Sequence, residues 1–126
     1  MSRISKDIDK ALSDEQSDLK EKGYETGETK SIDFIKADGT RQMFPYSQLI
    51  SAWTEQTDEA QVIKLFFSTH LVTLSGYNLG LIYDHVRDQV LKLLMARDER
   101  YLNTAKEKQP YVTAIVIEWK KVNDQD

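Results

Sequence analysis

Residues 78–96, Asn78-Leu-Gly-Leu-Ile-Tyr-Asp-His-Val-Arg-Asp-Gln-Val-Leu-Lys-Leu-Leu-Met-Ala96, decide the architecture. At helical spacing, Leu79, Ile82, Val86, Val90, Leu93 and Leu94 form one apolar stripe, and Asn78 stands where a cap belongs. Asp84 falls in the early turns and Arg97 and Arg100 in the late ones, as the helix dipole favours. Tyr101, Leu102 and Ala105 prolong the stripe, carrying the helix to about residue 106. A competing reading stops the helix near Asp88 and makes the apolar run Val90 to Ala96 a strand. Propensity favours the helix.

Upstream of this stretch the period is two. Ile32 and Phe34 lead into Ala37-Asp38-Gly39, with Gln42, Phe44 and Tyr46 beyond. A two-residue Asp-Gly turn would put Phe44 on the wrong face. A three-residue loop with Gly39 left-handed pairs Phe34 with Gln42 and Ile32 with Phe44, gathering the apolar side chains on one face. Pro45 suits a strand end or an edge. Ser47 to Glu55 reads either as a helical turn through Leu49, Ile50 and Trp53 or as a strand, and its neighbours favour the strand.

Residues 62–75 spell a second hairpin. Centred on Thr69-His70, it pairs Phe67 with Val72, Leu65 with Leu74 and Ile63 with Gly76, so Ile63, Leu65, Phe67, Val72 and Leu74 share a face. The opposite face carries Lys64, Phe66, Ser68, Leu71, Thr73 and Ser75, polar except for Phe66 and Leu71. Tyr111 to Trp119 is β-branched, follows the Gln109-Pro110 break and is apolar on both faces, the pattern of a central or doubly covered strand.

Thus the fold class read from the residues is α+β: an antiparallel sheet of about five to six strands, two hairpins plus the C-terminal strand, packed on one long helix. Residues 1–29 form a polar arm, 30–122 a single domain and 123–126 a tail. The arm carries a thin helical stripe of Ile4, Ile8, Ala11, Leu12 and Leu19, which reads as a charged N-terminal helix that Gly23 could end.

The chain has 126 residues and a formal net charge of −4, with both signs mixed throughout. Such a balance disfavours a broad phosphate-binding surface, so nucleic acid is not an expected partner. With no cysteine there is no disulfide, thiol nucleophile or cysteine-ligated metal. No run approaches the ~18 apolar residues of a membrane span, and the start lacks a signal-peptide core; the cytoplasm is the expected setting.

Only His70 and His85 could serve as histidines of a site. His70 falls in the hairpin loop as a solvated turn residue. His85 follows Asp84, and adjacent helical residues point apart, so Asp84 cannot orient it as a triad acid would. The phrase Lys22-Gly-Tyr-Glu-Thr-Gly27-Glu-Thr-Lys30 has the glycine spacing of a phosphate loop without its Gly-Lys-Ser/Thr ending, and no strand precedes it. No cofactor and no metal site is implied. Phe66 beside Lys64 is the one feature that could stack a base.

Two phrases carry a resemblance. Asp38-Gly39 with Pro45-Tyr46-Ser47, and Phe67-Ser68 through Val72, Leu74, Gly76, Asn78-Leu79 and Leu81-Ile82-Tyr83, resemble a small bacterial α+β domain family of uncharacterised function that pairs "DG…PYS" with "FSxxxVxLxGxNLxxLY". The resemblance spans roughly residues 32 to 100 and implies a compact α+β domain, with no activity or catalytic residues attached. This chain departs in its longer charged N-terminal segment and in Tyr77 between Gly76 and Asn78.

Two functions follow as expectations. The favoured one is a non-enzymatic interaction or structural module that binds its own copies or another protein, through Phe66, Leu71 and the stripe of Ile4, Ile8 and Leu12, which are apolar residues left over once the core is assigned. The alternative is a small-ligand-binding or weakly catalytic domain with a pocket between sheet and helix near Tyr46, Tyr77, Tyr83 and His85.

Overall fold

The computed structural model describes residues 22–99 and 109–120. Strands make up 56% of them and helix 14%, in two sheets of four strands each, which overturns the single sheet on one long helix. The strands are β1 (Tyr24–Thr26), β2 (Ser31–Ile35), β3 (Arg41–Pro45), β4 (Leu49–Gln56), β5 (Gln61–Phe67), β6 (His70–Tyr77), β7 (Leu91–Met95) and β8 (Tyr111–Trp119). A 3₁₀ turn, Tyr46–Gln48, precedes β4, and the helix α1, Gly80–Arg87, lies between β6 and β7. The first sheet has the order β1-β7-β2-β3 and the second β4-β5-β6-β8.

The helix stops after eight residues because the chain turns left-handed directly beyond it. Gln89 has φ +57°. Its N–H donates to the Val86 carbonyl and that of Val90 to the His85 carbonyl, each at 3.0 Å, which is the double hydrogen bond of a Schellman stop. Leu91–Met95 then leaves as β7 and pairs on both sides, antiparallel with β1 and parallel with β2. Two ladders outweigh the helical preference of this run, so the shorter-helix reading is the right one. Residues 101–106, the expected continuation of the helix, lie outside the described residues, as do Ile4, Ile8 and Leu12.

The first hairpin has the expected register. Ile32 lies opposite Phe44 and Phe34 opposite Gln42. Gly39, at φ +89°, donates its N–H to the Lys36 carbonyl, while the Lys36 N–H reaches the Thr40 carbonyl. The second hairpin differs by two residues. Leu65 faces Val72 and Ile63 faces Leu74, with Ser68-Thr69 at the turn. A slip of two preserves the side-chain faces, so Ile63, Leu65, Phe67, Val72 and Leu74 are all buried as expected. It also moves His70 out of the loop. His70 opens β6 and is buried between the rings of Phe44, 5.1 Å away, and Trp119, 4.1 Å away, which corrects its reading as a solvated turn residue.

The two sheets meet over one core. Phe34 and Phe44 from the first sheet pack on Phe67 from the second, Phe44 stacking on it at 4.6 Å, and Ile82 and Val86 of α1 join the same cluster. At the helix entry Asn78 does not cap. It takes φ +56°, which asparagine tolerates, and the Gln61 side-chain oxygen accepts the Leu79 N–H instead. Among the described strands β8 lies at an edge rather than in the centre, with an extra residue inserted opposite Ser75/Gly76. Gly76 sits hard against it: a Cβ there would lie 2.0 Å from the Tyr111 carbonyl oxygen. No described helix is long and apolar enough to cross a membrane.

Candidate interaction face

Alternation along β4, β5, β6 and β8 sends every second side chain away from the core. Opposite pairs identify that outer face: Ser51 with Phe66, Trp53 with Lys64, Glu55 with Val62, Leu71 with Glu118 and Thr73 with Val116. Phe66 and Leu71, which face each other directly across β5 and β6, form its apolar centre, and both are half-buried. Trp53 and Val116 extend it to the two edge strands and are 38% and 47% exposed. Beside Phe66 and Leu71 a shallow depression of 460 Å³ opens between Glu118, Trp119 and Lys120.

Charges of both signs frame the apolar residues. The Lys120 ammonium sits 5.0 Å from the centre of the Phe66 ring, a cation–π contact. Lys64 donates to the Thr73 hydroxyl at 3.1 Å, and the Trp53 indole N–H donates to Glu55 at 2.9 Å. Glu118 completes the frame opposite Leu71. The face can therefore bury apolar area at its centre while its rim offers two cations and two carboxylates. Trp53 and Val116 escaped the sequence reading, Trp53 because its segment was ambiguous between helix and strand, Val116 because its strand was taken as covered on both sides.

The four residues of the expected pocket are each engaged with a different partner. The Tyr46 hydroxyl is buried and donates to the Leu91 carbonyl at 2.7 Å, and burial pushes its pKa up to about 12. The Tyr83 hydroxyl reaches the Ala52 carbonyl at 3.3 Å. The Tyr77 hydroxyl, at the far end of β6, donates to Glu99, which raises its pKa. His85 packs its ring on Tyr24 at 5.7 Å between centres. Tyr46 borders an open depression with Thr29, Lys30, Pro45, Ser47 and Gln89, where its hydroxyl is already spent on the backbone.

A half-buried cation joins the two sheets. Arg97, just after β7, donates its backbone N–H to Val112 and its guanidinium to the Pro110 carbonyl, and lies 4.1 Å over the Tyr111 ring. Burial lowers its pKa. These contacts tie the start of β8 to the end of β7 in the first sheet. Among the described residues, no three histidine or acidic side chains converge as metal ligands would.

No family model, no curated protein and no solved structure matches this chain.

Proposed function

We propose that this chain is a protein-interaction module whose partner is a second copy of itself, met through the outer face of the second sheet. The observation that carries this reading is the apolar patch on the side away from the core, where Phe66 faces Leu71 at the centre and Trp53 and Val116 lie one same-face pair along on the two flanking strands. A sheet face turned to water usually alternates cleanly to polar, and an apolar patch on it marks a contact surface. The rim favours a copy of the same face: Lys64 and Lys120 stand beside Glu55 and Glu118, so two such faces related by a two-fold axis can set cation against carboxylate.

Sedimentation or light scattering tests the reading. The wild-type chain at micromolar concentration should show twice the chain mass, and Phe66→Asp, which places a charge at the apolar centre, should return it to the monomer with its circular dichroism intact. A wild-type monomer, or a dimer indifferent to Phe66→Asp, overturns it.

A further inference from the structure

We propose that residues 1–21 are a helix that lies, within the same chain, on the outer face of the first sheet, with Leu12 and Leu19 on its apolar side. This contact is on the other sheet from the self-association proposed above and does not rest on it.

The composition of that face is the first ground. Ile32, Phe34, Phe44 and Leu94 point into the core, so Ile35, Met43, Leu93 and Met95, at alternate positions on the same strands, point outward. Ile35, Leu93 and Met95 are half-buried and Met43 is 63% exposed. The charged side chains among them are taken up in ion pairs, Asp33 with Arg41 and Glu25 with Lys92. A sheet face turned to water alternates to polar, and this one does not. The helix α1 packs on the inner side, through Ile82 and Val86.

The entry of the chain into the sheet is the second ground. Lys22 has helical backbone and Gly23 takes φ +79°, the conformations with which a helix ends on a glycine. Gly23 is anchored to the sheet: it is buried, its carbonyl accepts the Met95 N–H at 2.8 Å, and a Cβ on it would lie 2.6 Å from the Arg97 Nε. β1 begins at the next residue, so no linker separates the helix end from the sheet. An element joined so closely packs beside the sheet it leads into. The inner face is filled by Phe67 and Ile82, which leaves the outer one. The outer face of the second sheet lies one sheet spacing further on, ~10 Å, beyond the core.

The segment itself is the third ground. Ile4, Ile8, Ala11, Leu12 and Leu19 recur at helical spacing. From Ile4 to Leu19 such a helix is ~22 Å long. The face measures ~14 Å across its four strands and ~17 Å along β2, so the stripe can cover it. A lone helix of this length with so thin a stripe is marginal in water and draws its stability from the surface it covers. Leu19, one turn before Gly23, comes down nearest Met95, and Leu12 lies two turns further along.

The chain has no cysteine, so one introduced thiol reports on one place. In the full-length chain, Leu93→Cys should react slowly with a neutral maleimide. Adding Leu12→Asp and Leu19→Asp should speed that reaction ~10-fold or more, the release that a docking free energy of only ~1.4 kcal/mol gives. Val116→Cys, on the outer face of the second sheet, should be indifferent to the same two changes. Circular dichroism checks that each variant keeps its sheets, and Met95→Cys repeats the measurement if Leu93→Cys does not fold. Equal rates with and without the two arm substitutions overturn the proposal. Release of Val116→Cys in place of Leu93→Cys also overturns it, by putting the segment on the second sheet. Protection that fades on dilution means that the segment comes from another copy, and overturns it too. A wild-type monomer would remove the self-association and leave this contact standing.

Discussion

Tyr46→Phe removes one oxygen at a point where the chain passes from the first sheet to the second. The hydroxyl donates to the Leu91 carbonyl at 2.7 Å, and Tyr46 is only 6% exposed, so water cannot replace the lost donor. Leaving that carbonyl unsatisfied costs about 1–3 kcal/mol at neutral pH. The cost depends on pH with a definite sign. The phenol is raised from 10.0 to about 12 in the folded chain, so the folded state holds this proton more tightly than the unfolded one. The resulting stability is complete below the unfolded value and is lost as pH climbs through the folded one. Two pKa units set an upper limit of ~2.7 kcal/mol on that loss. Phenylalanine has no proton to lose, and every other titrating group is common to both chains, so the wild-type advantage should shrink steadily above pH 10. Urea unfolding of both chains at neutral pH and at steps up to pH 11.5 measures it, with unchanged slopes and converging midpoints expected. Equal midpoints at neutral pH, or a difference that stays constant above pH 10, would refute the reasoning.

Two glycines should respond differently to alanine. At Gly76 the added Cβ meets the Tyr111 carbonyl oxygen and the Val112 Cα, both backbone, so Gly76→Ala must push β8 away and should cost about 3 kcal/mol by thermal or urea unfolding. At Gly39 a Cβ touches nothing, and Gly39→Ala should cost only the left-handed penalty of about 1–2 kcal/mol. Phe67→Ala removes the ring that both Phe34 and Phe44 pack on, and a loss of about 3–5 kcal/mol in the same assay is expected; a smaller one would mean the two sheets are held together elsewhere.

The parts of the fold legible in the sequence are those set by neighbours in the chain. Ala37-Asp38-Gly39 marked the turn, and the need to gather Ile32, Phe34 and Phe44 on one face selected the three-residue loop and with it the register of Ile32 against Phe44. The outward placement of Phe66 and Leu71 was legible for a related reason, since a period of two survives a slip of two. That same slip hid His70, whose burial depends on which pair closes the turn. The long helix failed at Gln89: the left-handed stop that glycine usually announces is made here by a residue that gives no such signal. Nor could local pattern show that Leu91–Met95 has strands on both sides, that Gln61 caps α1, or that β8 lies at an edge. Each of these depends on groups brought together from distant parts of the chain.

The parallel pairing of β2 with β7 constrains the order in which the molecule can assemble. Asp33 lies beside Leu93, sixty positions later. β4, β5 and β6 form a meander whose pairings with one another are local, whereas the middle of the first sheet stays open until β7 arrives. On a chain emerging from the ribosome, β2 and β3 must wait as an isolated hairpin, marginal by itself, while the meander folds ahead of them. A chain cut between Tyr77 and Leu91 keeps three strands of the second sheet and leaves the first without the strand that connects β1 to β2.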